Sequence, residues 1–127
     1  DKRTLVSGIK FSSPNELILP LRWIGFASQQ LNCDIAASTG VHSAESILKM
    51  LMVGATTVQV CSVLYRNGPD YIEELLTDLS SWLDENEYSS IDEIRGLALK
   101  NSESEQHLLS RVQYIKALED AAEFYKY

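Results

Sequence analysis

The stretch from Ile35 to Leu64 constrains the fold more than any other part of the chain. It reads as a strand, a glycine turn, a short helix, a glycine stop and a second strand. Asp34–Ala37 is short and mostly apolar, and Ser38-Thr39-Gly40 breaks it. Ser43 is an N-cap for a helix over Ala44–Val53, with Glu45 in the first turn, where a negative charge suits the helix dipole. Ile47, Leu48, Leu51 and Met52 share one face of that helix. Gly54 fits the position just past its end, where positive φ is usual. Thr57–Val63 is rich in β-branched residues and predicts the second strand. A strand, a crossover helix and a strand of this length make a parallel, right-handed βαβ unit.

In α/β folds, ligands sit at the C-terminal ends of the parallel strands. Closed barrels often build a phosphate site from the loops after their last two strands. Ser38-Thr39-Gly40 and Cys61-Ser62 occupy those two strand ends. Glycine lets the backbone approach an anion closely. Free backbone N–H groups at such turns form a nest for negative charge, and the Ser38, Thr39 and Ser62 hydroxyls add donors. Without any wider comparison, Thr39 and Cys61 are equally readable as ordinary strand-end residues.

The remaining segments are read from their helix signals. Leu5–Phe11 is a weak third strand, interrupted by Ser7-Gly8. Ser13, Pro14 and Glu16 form a capping box with proline at the first helical position. Pro20 then either follows a single turn or starts the main helix itself. The second option is favoured, with a helix over Pro20–Leu31 burying Leu21, Ile24, Ala27 or Ser28, and Leu31, and widened by Trp23 and Phe26. Asn67-Gly68-Pro69 is a turn before a long helix, Asp70–Asn86, with Ile72, Leu75, Leu76, Leu79, Trp82 and Leu83 in one stripe. Glu73, Glu74, Asp78 and Glu85 cover its other faces and read as a solvated surface. Ser90 to Glu93 opens a short helix ended by Gly96, and Ser102 to Glu105 opens a last one over 103–125.

The motifs Ser-Thr-Gly-Val (38–41), Val-Gly-Ala-Thr-Thr-Val-Gln-Val-Cys-Ser-Val-Leu (53–64) and Asn-Gly-Pro (67–69) together resemble the C-terminal quarter of dihydroorotate dehydrogenases. The likeness is greatest to the divergent flavoproteins related to class 1, and runs from about Ser12 to Gly96. Glu74-Leu75, Trp82-Leu83, Tyr88-Ser-Ser-Ile91 and Arg95-Gly96 narrow it, whereas Gly-Ala-x-x-Val-Gln-Val is shared with other flavin barrels.

The resemblance implies an α/β fold: a C-terminal fragment of a TIM (β/α)8 barrel, helix-rich, with two to three short parallel strands. Residues 1–100 would be the barrel part and residues 101–127 a helical extension for packing or subunit contact. FMN is the implied cofactor. Thr39-Gly40 takes the place of a Gly-Gly pair on the seventh strand, and Cys61-Ser62 that of a Gly-Thr pair on the eighth; both contact the FMN phosphate in the family. Ser12-Ser13 aligns with a Ser-Gly or Gly-Gly pair that also nears the cofactor. This chain departs from the pattern at Ser13, Thr39 and Cys61, where the family has glycine. The family's base, its flavin-side lysine and its orotate-binding asparagines all lie upstream of the matched region.

Composition adds exclusions. The chain has 127 residues, of which 45% are apolar, as in ordinary globular domains. A complete barrel needs about 250 residues. A start at Asp1 without Met adds to the expectation of a piece of a larger enzyme, inactive alone. Net charge is −7, which argues against a nucleic-acid partner. No apolar run approaches membrane-spanning length and no secretory signal is visible. Cys33 and Cys61 lack metal or redox spacing and read as reduced thiols of a cytoplasmic protein. His42 follows the glycine turn and is within reach of an anion there, but the favoured reading for it, as for His107, is a surface residue, and no metal or catalytic-triad pattern is visible.

Two functions therefore stand side by side. One is the FMN-phosphate-binding part of a dihydroorotate dehydrogenase-like oxidoreductase of pyrimidine metabolism. The other is a non-catalytic packing module with a degenerate phosphate site. Strands that are cut from a barrel leave open edges, so the expected partners are the rest of the barrel or copies of the chain, as a homo-oligomer.

Overall fold

A computed structural model describes residues 10–100. The chain begins with a 3-10 turn, Pro14–Leu17, that runs directly into helix α1, Ile18–Gln30. Strand β1 (Ala36–Ala37), helix α2 (Ala44–Met52) and strand β2 (Thr57–Val58) follow. Then come α3 (Ser62–Asn67), α4 (Tyr71–Glu85), α5 (Ile91–Ile94) and α6 (Leu97–Lys100). The βαβ unit read from the sequence is present. β1 and β2 pair in parallel, with Ala36 opposite Thr57 and Ala37 opposite Val58. The Thr57 and Gln59 amides donate to the Ile35 and Ala37 carbonyls, and the Thr56 hydroxyl accepts from the Ile35 amide. Helices outweighing two short parallel strands fit a fragment of a (β/α)8 barrel. Most of the weak strand at Leu5–Phe11, and the whole helix expected over 103–125, lie outside the described residues.

Two apolar clusters hold these elements. In one, Ile24 of α1 meets Ala37, Val41, Met50 and Ala55 around the sheet. In the other, Ala44, Leu48 and Leu51 of α2 meet Leu79 of α4 and Ile94 of α5. α2 thus presents two buried sides, and Met50 is wholly enclosed. The N-cap of α2 is Ser43, as expected, but its partner is Ser46. The Ser43 hydroxyl accepts from the Ser46 amide, and the Ser46 hydroxyl accepts from the Ser43 and His42 amides. Ser46 is buried and satisfied by these bonds. Gly54 ends α2 at φ 99°, and its bare Cα lets α1 approach: a Cβ there would lie 2.6 Å from Ser28.

Four expectations need correction. The main helix does not start at Pro20. It continues the Pro14 turn, so Pro20 sits in the first turn of α1, where a missing N–H is tolerated. The second strand does not reach Val63. Cys61 turns the chain, the Leu64 and Tyr65 amides donate to its carbonyl, and α3 buries Ser62 and Val63 instead. The apolar side of α1 is covered only in part. Ile24 is buried, Leu21, Ala27 and Ser28 are half-buried, and Trp23, Phe26 and Leu31 are exposed. On α4, Leu75 and Leu79 are buried while Ile72 and Leu76 stay exposed. Ile72 and Leu76 line a cavity between α4, α2 and β2.

Candidate anion-binding site at the strand ends

β1 and β2 run the same way, so their C-terminal ends open on one side of the sheet. A cavity of about 160 Å³ lies there, lined by Lys10, Ser12, Ser38, Thr39, Val41, Gln59, Cys61 and Ser62. Ser38 and Thr39 follow β1, and Gln59 to Ser62 connect β2 to α3. The Ser12 segment closes the cavity from the other end of the described chain. The lining is mostly hydroxyl, amide and thiol groups, with the Lys10 ammonium as its charge.

Five of the seven site residues expected from the sequence line this cavity: Ser12, Ser38, Thr39, Cys61 and Ser62. Gly40 does not. It packs on the turn before α1, where a Cβ would meet the Leu17 amide nitrogen at 2.3 Å. Ser13 does not either. Its amide and hydroxyl donate to the Glu16 carboxylate, at 2.6 and 3.2 Å. Gly40 thus packs against the start of α1, and Ser13 caps it.

Thr39 and Gly40 both have positive φ, 80° and 76°. A β-branched residue at positive φ is an outlier, so Thr39 is held there by its surroundings. Cys61 has φ −139° and ψ −67°, and its exposed side chain adds bulk to the cavity.

The Ser12 amide donates to the Ser62 hydroxyl at 3.0 Å, and the two hydroxyls lie 3.0 Å apart. One of the two hydroxyl protons makes that contact. The other remains for an anion in the cavity, whichever way the pair is oriented. Lys10 also reaches Glu16 at 3.9 Å, a solvent-exposed pair of little strength, so its charge is not committed.

Sequence reasoning missed Lys10 and Gln59. Neither sits in a motif, and only the tertiary return of the Ser12 segment places Lys10 at the strand ends. It also undervalued His42. The ring Nε2 lies 3.0 Å from the Ser12 carbonyl oxygen, which also accepts from Arg66 Nη2 at 3.4 Å. A carbonyl only accepts, so His42 carries a proton on Nε2.

A larger, apolar cavity of about 250 Å³ lies between β2, α2 and α4, lined by Val58, Val60, Leu75 and Leu79 among others. It is away from the strand ends and has few polar groups to orient a ligand. Among the described residues, no cluster of His, Cys, Asp or Glu is placed to hold a metal ion, and no helix is long and apolar enough to cross a membrane.

No family model matches the chain. It is similar to the catalytic subunit of dihydroorotate dehydrogenase B (NAD(+)) of Pyrococcus abyssi, 29% identical over 90 residues, or 71% of this chain and 30% of that protein. The corresponding subunit of Shouchella clausii is 32% identical over 76 residues, 60% of this chain and 25% of that protein. The chloroplastic dihydropyrimidine dehydrogenase (NADP(+)) of Arabidopsis thaliana is 25% identical over 84 residues, 66% of this chain and 18% of that protein. The chain thus spans less than a third of the length of these relatives.

Proposed function

We propose, for a chain that is a segment of a dihydroorotate dehydrogenase-like barrel, that it grips the phosphate of FMN for an oxidoreductase of pyrimidine metabolism. The observation that carries this reading is the polar cavity at the two parallel strand ends, closed by Ser12 and faced by Lys10. The donor set suits a phosphate. Hydroxyl groups of Ser12 or Ser62, Ser38 and Thr39 donate to its oxygens, and the Lys10 ammonium offsets its charge. The described residues offer no comparable stacking or hydride-transfer position at this cavity, so the segment orients the cofactor by its phosphate end only.

The chemistry supplied by the flavin, when bound, is acceptance of a hydride from a dihydropyrimidine. This chain contributes position rather than a proton transfer, and is inactive on its own. The side chains of Thr39 and Cys61, and the Ser12 amide already committed to Ser62, favour a second reading in which the site is degenerate and the segment only packs.

The test is the visible spectrum of the protein that carries this segment, before and after gel filtration with added FMN. Retained flavin bands support the phosphate grip. Lys10→Glu then weakens FMN about tenfold or more, through reversal of one charge near the phosphate. A colourless protein that ignores FMN, or a Lys10→Glu variant that binds FMN unchanged, overturns it in favour of the packing module.

A further inference from the structure

We propose that His42 and Arg66 are positioning residues that clamp Ser12, and so set the shape of the anion cavity; its ligand consequence rests on the phosphate reading above. The Ser12 segment needs such a clamp. Residues 10–13 belong to no helix or strand, so no backbone ladder fixes them. Ser12 is instead held at three of its atoms by two other parts of the chain. Its carbonyl accepts from His42 Nε2 and from Arg66, its amide donates to Ser62, and its hydroxyl meets the Ser62 hydroxyl.

The two clamp residues are themselves anchored. His42 precedes α2, and its amide donates to the hydroxyl of buried Ser46 at 3.1 Å. Arg66 lies on α3, whose first residue is Ser62. Next to it, the Tyr65 ring packs on Phe11 with centroids 4.7 Å apart. The clamp therefore ties the Ser12 wall to the start of α2 and to the last turn of α3.

Occupying the Ser12 carbonyl also matters electrostatically. An acceptor with free lone pairs at the rim would repel a phosphate oxygen. His42 and Arg66 take both of its lone pairs. Meanwhile the hydroxyl pair of Ser12 and Ser62 keeps its spare proton at the cavity. His42 thus acts on the ligand only through Ser12.

The experiment uses the full protein that carries this segment. Hydrogen exchange is followed for the peptide covering Ser12, and dissociation constants are measured for FMN and for riboflavin, which lacks the phosphate. In His42→Ala, exchange at Ser12 speeds up and FMN binding weakens by about tenfold, the scale of one lost hydrogen bond. Riboflavin binding stays within about twofold, since the clamp acts at the phosphate end. His42→Gln, whose side-chain amide can donate to the same carbonyl, restores both. Arg66→Ala, at an exposed residue whose loss the fold tolerates, gives a smaller change in the same direction.

The proposal is overturned if Ser12 exchange is unchanged in His42→Ala and Arg66→Ala. It is also overturned if FMN and riboflavin weaken together, or if His42→Gln rescues neither exchange nor binding. A wild-type protein that binds riboflavin as tightly as FMN sinks the phosphate reading and with it the ligand half of this proposal. The exchange data still decide whether the clamp exists.

Discussion

Gly40 lies against the backbone of Leu17. A Cβ at position 40 would come within 2.3 Å of the Leu17 nitrogen and 2.6 Å of its Cα, and the backbone there has φ 76°. The loop after β1 thereby seats the turn that starts α1. Gly40→Ala must move main chain, not a flexible side-chain tip. Overpacking costs about 1–3 kcal/mol and the positive φ about as much again. The expected loss is about 2–6 kcal/mol on those two counts, read as a lower denaturant midpoint. A loss under about 0.5 kcal/mol, the scale of an ordinary surface change, would show that the turn yields freely.

Thr39, the preceding residue, has the opposite problem. Its φ of 80° is costly for a β-branched side chain, on the order of 1–2 kcal/mol. Glycine removes that strain but adds about 0.5–1 kcal/mol of unfolded-chain freedom. Thr39→Gly is therefore expected to stabilise by up to about 1.5 kcal/mol, the difference of those two effects. Thr39→Ala, which keeps a Cβ at positive φ, should gain less. Thermal melts of the three proteins order them, and an unchanged or lower melting temperature for Thr39→Gly would mean the threonine hydroxyl holds the loop.

These neighbours show what the sequence made legible. Glycine at 40 could be seen, but its reason could not. Both a ligand and a neighbouring turn demand a bare Cα, and only the packing of Leu17 separates them. Ser43 was legible as a cap because the cap is local. Its reciprocal partner Ser46 was not, since serine is a rarer third residue in a capping box than glutamate. The β-branched run through Val63 read as strand because propensity carries no information about Ser12, fifty residues earlier in sequence than Ser62. The placement of Lys10 at the strand ends, and the contacts of His42 and Arg66 with Ser12, leave no local pattern at all, so the cavity's charge was invisible while its strand ends were not.

Glu16 links stability to pH. Its carboxyl is held below the ordinary value of 4.5 first by the Ser13 amide, then by the Ser13 hydroxyl, with Lys10 and His42 adding and partial burial opposing. A group with a lowered folded pKa stabilises above its unfolded pKa and loses that contribution as pH falls through the folded one. Wild type should therefore exceed Glu16→Gln in stability by a constant margin at neutral pH. The margin should shrink as the pH drops below about 4.5. Glu45, lowered by its Lys49 partner, is common to both proteins and cancels in the comparison. Urea midpoints from pH 7 to pH 3 measure the margin, and a gap that widens on acidification would reverse the assignment.

The last prediction concerns surfaces that nothing covers among the described residues. β2 is paired there with β1 alone. Ile72 and Leu76 of α4 are 43% and 57% exposed, and Trp23 of α1 is 63% exposed. An open parallel edge flanked by apolar side chains invites pairing. The chain of residues 1–127 alone is therefore expected to self-associate at micromolar concentration. Replacing Ile72 and Leu76 together by lysine should lower the association markedly, because it puts two like charges on the joining face. Light scattering and sedimentation read the outcome. Monodisperse monomer for the unaltered chain would show that these faces need no cover. Association that ignores the lysine pair would move the joining surface to α1.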